Sequence, residues 1–262
     1  MKTLLVSPHS DDIAFSIGGT LLKKFFNSPI LVVTIFTISN ISPCIRKNDS
    51  EIISQLRHLE DFEFAEKMGL EFHSFSFPEP TMRGLSLLDL YETNNLNSDP
   101  MYNEVETALT KFIKSHQCNM LVSPMGLGNH IDHIMLCDIC IQIARENKIK
   151  IAFYEDLPYA SMMTLKKIKV RAEEISPHLN VCNINITDVF DEKIKNMTIY
   201  KTQTCRFIQT KIKLHAMRLN FENNSFIEYI WPNKLFRYLI FFIITRLMRV
   251  KLFERIWTYN ES

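Results

Sequence analysis

Two short stretches of this chain concentrate the residue types that bind metal ions and move protons. In the first, Ser7-Pro8-His9-Ser10-Asp11-Asp12, an imidazole and two carboxylates follow directly on the apolar run Leu4-Leu5-Val6. In the second, Gly126-Leu127-Gly128-Asn129-His130-Ile131-Asp132-His133 follows Met120-Leu121-Val122-Ser123-Pro124. Each reads as a loop at the end of a buried strand, which is where α/β sheets bind their ligands. A catalytic zinc ion takes three protein ligands and leaves a fourth position open, and neutral imidazoles with a carboxylate suit it. His9, Asp12 and His133 would supply such a set for Zn2+, with another divalent metal as the alternative. Asp11 and His130 would then stand beside the ion as the base and the oxyanion partner of a hydrolase. Asp132 would hold His130 in the required tautomer and orientation.

Those two loops need a frame to bring them together. Short apolar or β-branched runs occur at 3–6, 30–36, 71–75, 120–123 and 150–154. Between them, segments at 14–26, 51–68, 102–115 and 134–146 carry apolar residues near i, i+3 and i+4. This alternation predicts an α/β fold, a Rossmann-like and mostly parallel sheet with helices on both faces. The stretch 78–100, rich in Asn, Asp and Pro, reads as a loop that could roof the site. Gly18-Gly19 lacks the Gly-x-Gly-x-x-Gly dinucleotide fingerprint and is expected to let its helix approach the sheet or the ligand closely.

Composition bounds the remaining choices. With 262 residues, of which 46% are hydrophobic, the chain can bury one large core, and a single domain is expected. Lys and Arg number 30 against 29 Asp and Glu, so bulk charge nominates no nucleic-acid partner. The six cysteines, at 44, 118, 137, 140, 182 and 205, are too scattered for a disulfide framework. The N-terminus enters a core strand without a signal peptide, so a cytoplasmic location is expected. Cys137 and Cys140 lie one turn apart within a predicted helix and read as packing residues. Near the C-terminus, residues 235–244 are almost wholly apolar and are followed by Arg246, Arg249, Lys251 and Arg255. Arg237 interrupts that run, which is too short to span a bilayer. A core over 1–210 and a helical extension over 211–262 are expected, the extension docking on the core or on a partner subunit of a homo-oligomer. Peripheral contact with the inner face of the membrane is the alternative.

The chain resembles the PIG-L (LmbE-like) family of zinc-dependent N-acetyl-sugar deacetylases. That family's motifs, usually His-Pro-Asp-Asp-Glu and His-x-Asp-His, correspond in order to His9-Ser10-Asp11-Asp12-Ile13 and His130-Ile131-Asp132-His133. Arg57-His58-Leu59-Glu60, with Ala65 and Gly69 beyond it, looks like the family's Arg-x-x-Glu helix. Phe153-Tyr154-Glu155-Asp156-Leu157-Pro158-Tyr159 and Tyr200-Lys201-Thr202-Gln203 are similar to segments shared by many members, so the resemblance runs to about residue 210. It implies removal of acetate from an N-acetylated amino sugar of the GlcNAc type. Ser10 stands where the family has Pro and Ile13 where it commonly has Glu; neither change removes a proposed ligand, and both bear on loop stiffness and on hydrogen bonding around the ligands.

Six further residues are candidate substrate-binding groups. Arg57 either pairs with Glu60 on its own helix or points into the site to hold a sugar hydroxyl or phosphate, and Arg83 poses the same choice inside the roof loop. Tyr154, Glu155, Asp156 and Tyr159 follow the strand at 150–154 and could stack on a sugar or bind its hydroxyls. Two other functions remain open: a sugar- or partner-binding module without turnover, and an amidohydrolase acting on a non-sugar N-acyl substrate.

Overall fold

The computed structural model describes residues 2–26, 29–43, 49–87, 89–91, 99–222, 231, 233 and 250–259. Five parallel strands, β1 (Lys2–Ser7), β2 (Ile30–Ile38), β3 (Glu71–Pro78), β4 (Cys118–Pro124) and β5 (Lys150–Tyr154), are joined by α1 (Asp12–Leu22), α2 (Ser50–Met68), α3 (Pro100–Ser115) and α4 (Ile131–Asn147). The predicted mostly parallel α/β sheet is therefore present. Its near-continuous apolar strands follow from burial on both faces. Leu4 and Val6 pack in one layer with Val105 and Leu109 of α3 and Met135 and Ile139 of α4, whereas Leu5 lies in the other layer with Ile13 and Ile17 of α1. Helix starts carry their own signals. Asp49 caps α2 by accepting from the Glu51 and Ile52 amides, and Asp99 caps α3 ahead of Pro100.

The strand order is β3-β2-β1-β4-β5-β7-β6, where β6 is Leu179–Asn185 and β7 is Phe253–Tyr259. From β1 the chain winds outward through β2 to β3, then returns to place β4 on the other side of β1. That reversal makes the carboxyl ends of β1 and β4 a topological switch point, and both motif loops leave from it.

The C-terminal third departs from the expected pattern. Helices α5 (Leu165–Ile175), α6 (Phe190–Met197) and α7 (Arg206–Arg218) follow β5. Helix α7 runs across the expected boundary at 210, and 253–259, expected to be helical, form a strand antiparallel to both β5 and β6. The apolar run 235–244, with Arg246 and Arg249, lies outside the described residues. Among the described residues no helix is long and apolar enough to cross a membrane, no disulfide links the cysteines, and Cys137 and Cys140 are buried on α4.

Strand β7 escapes a hydrophobicity pattern because it buries two charges, Glu254, paired with Lys193, and Arg255, which meets Glu222 at 2.8 Å, Asn183 at 2.9 Å and Glu155. Glu254 accepts from the Gly19 amide at 3.0 Å, from the Thr20 amide at 2.6 Å and hydroxyl at 2.7 Å, and pairs with Lys193 of α6. Helix α1 is kinked at Ile17 (φ −132°, ψ 17°), and Lys193 Nζ also donates to the Phe15 carbonyl at 2.6 Å. The ion pair thus satisfies backbone groups on both sides of the kink. A Cβ on Gly19 would lie 2.9 Å from Glu254 Oε1 and equally close to Ile186, so the expected close approach falls on this glycine.

Arg255 and Trp257, two residues apart and so on one face of the strand, turn to Glu155. Trp257 Nε1 donates to Glu155 Oε1 at 3.1 Å, His215 of α7 to Oε2 at 2.7 Å, and Arg255 lies 3.6 Å away. Burial raises the Glu155 pKa, but Arg255 and His215 outweigh it and hold the carboxyl down at about 2. Glu155 is therefore a strut between β5, β7 and α7, not the sugar-binding group expected. Tyr154 is likewise corrected: it is fully buried, and its hydroxyl donates to the Val6 carbonyl at 2.9 Å, tying β5 to β1.

Replacing Glu254 with Ala leaves Lys193 as an unpaired buried cation and the Gly19 and Thr20 amides without an acceptor. We expect a loss of about 3–5 kcal/mol in urea unfolding. A loss below about 1 kcal/mol, the worth of an exposed pair, would show that the pair does not brace the kink.

Candidate active site

The loop after β1 is held flat against the sheet, where the Phe36 amide donates to the Pro8 carbonyl at 2.9 Å. Asp11 adopts φ 99°, ψ −30°, a left-handed conformation that costs a non-glycine residue of order 1–3 kcal/mol. Helix α1 begins at the next residue. The Asp12 carboxylate folds back to accept from the His9 amide at 2.8 Å. Beyond β4, His133 lies in the first turn of α4 and reaches the same point.

Three donor atoms converge there. His9 Nδ1 and Asp12 Oδ2 are 3.4 Å apart, His133 Nε2 and Asp12 Oδ2 3.5 Å, and the two ring nitrogens 3.3 Å. Donors bound tetrahedrally to zinc at their usual lengths are separated by about 3.3–3.6 Å, so this trio has the spacing that a metal ion requires. His9, His130 and His133 form a second, looser group, with one nitrogen from each within 4.8 Å of the others. The electrostatics favour a cation. Burial disfavours charge on His9, yet its bonds to Asp12 and Asp132 outweigh that and push its pKa up to about 10. Burial raises the Asp12 pKa, but His133 and His9 reverse this and lower it. A proton and a metal ion would compete for the same nitrogen.

Each histidine of the trio is oriented through its far nitrogen by a buried carboxylate, as metal-binding histidines commonly are. His133 Nδ1 donates to Asp156 Oδ1 at 2.7 Å, while Asp156 Oδ2 accepts from the Met125 and Leu127 amides at 3.1 and 2.9 Å. Asp156 thus positions His133 and does not face a sugar. His9 Nε2 bonds Asp132 Oδ2 at 2.9 Å. This corrects the expectation that Asp132 orients His130, since its carboxylate points across to the other motif loop. His130 instead caps α4, its Nδ1 accepting from the Asp132 amide at 3.3 Å. Burial, with His9, His133 and Arg83 nearby, lowers the His130 pKa well below its usual value. A neutral His130 that accepts at Nδ1 carries its proton on Nε2 and presents it as a donor.

Asp11 is the unengaged acid of the cluster, with no hydrogen bond or ion pair from its carboxylate among the described residues. Burial and the Asp12 charge raise its pKa well above the usual carboxylate range, against the pull of Arg57 and His9. Ile13 lies in the apolar core, and Ser10 is fully buried.

The two candidate arginines are committed elsewhere. Arg57 is buried and reaches Glu79 Oε1 and Ser39 Oγ, both at 2.8 Å, so it neither pairs with Glu60 nor extends into open solvent. Glu60 holds the 200–203 segment through the Thr202 amide at 2.9 Å. Arg83 bonds Asp132, Asp99 and the Pro78 carbonyl. Of the expected substrate groups, Tyr159 borders the mouth, its ring 5.3 Å from that of His133 and 6.1 Å from that of His130. Tyr91 also stands edge-on to His130, at 6.0 Å. Tyr91 lies in the predicted roof loop but was not singled out there. Gly128, at φ 83°, is what admits Tyr159, because a Cβ would come within 2.6 Å of it.

Residues 4–144, more than half of the chain, match the family described as PIG-L: GlcNAc-PI de-N-acetylase. The 2'-N-acetylparomamine deacetylase of Streptomyces fradiae is 27% identical over 221 residues, covering 83% of this chain and 78% of that protein. A deacetylase of the teicoplanin biosynthesis pathway, solved in complex with teicoplanin, aligns over the whole of both chains with TM-score 0.68 and 16% identity. The N,N'-diacetylchitobiose deacetylase of Pyrococcus horikoshii gives TM-score 0.61 and 17% identity over 85% of this chain and 79% of that one. Both motif loops, with the convergent donors of His9, Asp12 and His133, fall inside the matched stretch, and the chain belongs to the PIG-L family.

Proposed function

We propose that this protein removes the acetyl group from the nitrogen of an N-acetylated amino sugar, releasing acetate and the free amine, with His9, Asp12 and His133 holding Zn2+. The observation that carries this reading is the trio of donors 3.3–3.5 Å apart beside a carboxylate, Asp11, that has no hydrogen bond or ion pair among the described residues. A divalent ion held by the trio supplies Lewis acidity, the chemistry that polarises an amide carbonyl and acidifies water.

The chain's own groups supply the rest. Asp11, with its raised pKa, takes a proton from the attacking water and can keep it. His130 Nε2–H donates to the carbonyl oxygen as it becomes an oxyanion, which a neutral imidazole of fixed tautomer can do without giving up its proton. Protonated Asp11 then delivers its proton to the departing nitrogen as the C–N bond breaks, so that water plus amide gives acetic acid plus amine, which exchange a proton in solution to acetate and ammonium. Asp132 and Asp156 keep His9 and His133 turned toward Asp12 throughout. Tyr91 and Tyr159 frame His130 and offer aromatic faces suited to a sugar ring. The sugar assignment is supported by the relatives, since paromamine and chitobiose derivatives acetylated on an amino-sugar nitrogen are named as substrates of two of them.

Replacing His133 with Ala should leave the fold intact by circular dichroism and abolish stoichiometric zinc by elemental analysis; undiminished zinc would remove His133 from the ligand set. Asp11→Asn preserves size but removes the base. Acetate release from N-acetyl-amino-sugar substrates should drop by ~100-fold or more with metal content unchanged, whereas near-normal turnover would eliminate Asp11 as the base.

A further inference from the structure

Arg83 touches more of the site's framework than any sequence argument assigns to it. It leaves the 3-10 turn Pro80–Arg83 just ahead of Gly84, which takes φ 90°. Its Nη2 lies 2.9 Å from Asp132 Oδ1 and 3.2 Å from Asp99 Oδ2, and its Nη1 donates to the Pro78 carbonyl at 2.9 Å. The guanidinium lies over the Phe36 ring at 5.3 Å, and that ring stands 6.1 Å from the imidazole of His9. Asp132 is fully buried and gives its two oxygens to different cations or donors, Oδ1 to Arg83 and Oδ2 to His9 Nε2. Asp99 divides its carboxylate in the same way, with Oδ1 capping α3 at the Met101 amide at 2.9 Å.

A fully buried carboxylate is costly unless both of its oxygens meet donors or positive charge, and His9 serves only Oδ2 of Asp132. Arg83 supplies positive charge at Asp132 Oδ1 and, with His9 Nε2 at Oδ2, restrains the carboxylate from both ends. We propose that Arg83 is a positioning residue that sets the strength of metal binding by acting through Asp132 on His9, and that Asp99 anchors it for that task. The proposal rests on the metal reading above and replaces the expected role of Arg83 in gripping substrate.

The test is Zn2+ affinity, measured by competition with a chromophoric chelator on the full-length protein, with the melting temperature of the metal-free protein recorded alongside. Arg83→Gln should weaken Zn2+ binding by about 10–100-fold, the usual effect of removing a group that supports a metal ligand. Arg83→Lys keeps the charge but has one nitrogen, which cannot serve the two carboxylates and the Pro78 carbonyl from separate positions as Nη2 and Nη1 do, so it should fall between wild type and Arg83→Gln; it also serves if Arg83→Gln does not fold. In an Asp132→Asn background Arg83→Gln should change affinity by less than about 2-fold, because the route to His9 is already cut. Unchanged Zn2+ affinity in Arg83→Gln, or a full and additive loss in the Asp132→Asn background, overturns the proposal. A raised KM with unaltered metal affinity would return Arg83 to substrate binding. Wild-type protein that binds no Zn2+ would instead overturn the metal reading itself.

Discussion

Two hydrogen bonds between buried side chains govern the mouth of this protein: His9 Nε2 to Asp132 at 2.9 Å and His133 Nδ1 to Asp156 at 2.7 Å. Each locks an imidazole by its far nitrogen and so aims the near nitrogen at Asp12. The bonds also run between neighbouring strand ends. Asp132, after β4, holds the histidine that follows β1, and Asp156, after β5, holds the histidine that follows β4. The reversal of strand order between β1 and β4 makes this relay possible, because it brings three loops with the same polarity to one edge of the sheet. The donors therefore depend for their spacing on the register of β1, β4 and β5.

Concentrating Asp11, Asp12, Asp132 and Asp156 at one sheet edge carries an electrostatic cost that the surroundings must meet. Asp156 is satisfied by two backbone amides and His133, Asp132 by His9 and Arg83, and Asp12 by the His9 amide and two imidazoles. Asp11 alone is left without such partners, and its strained backbone holds it there. Desolvation and the neighbouring Asp12 charge raise the pKa of Asp11, so that once ionised it binds a proton more strongly than an ordinary carboxylate does. The same logic holds far from the site, where Glu254 and Glu155 are buried only because Lys193, Arg255 and His215 meet them.

The parts of this arrangement that were legible in the sequence were those set by local pattern. Strands β1 to β5 and helices α1 to α4 showed as apolar runs and helical periods, and the motif loops showed as histidines and aspartates placed just after strands. Strand β7 was hidden because Glu254 and Arg255 break its apolar pattern, and their partners lie far off in sequence, Lys193 for Glu254 and Glu222, Asn183 and Glu155 for Arg255. Residues 154–156 show the limit within a single loop. Tyr154, Glu155 and Asp156 were grouped as sugar contacts, yet each goes its own way, to Val6, to β7 with α7, and to His133. Adjacent positions at a strand end diverge by geometry that composition does not encode. Arg83 and Arg57 show a related limit: a cation near a site looks the same in sequence whether it faces substrate or a buried acid.

The proposed metal seat is His9, Asp12 and His133, and not the three histidines. Anomalous diffraction from crystals of the protein soaked in Zn2+ tests it most directly. A single anomalous peak within about 2.0–2.2 Å of His9 Nδ1, Asp12 Oδ2 and His133 Nε2, with Asp11 and His130 unligated, is the expected result. A peak bonded to His130 with Asp12 outside its coordination sphere, or one ligated by Asp11, would contradict the account.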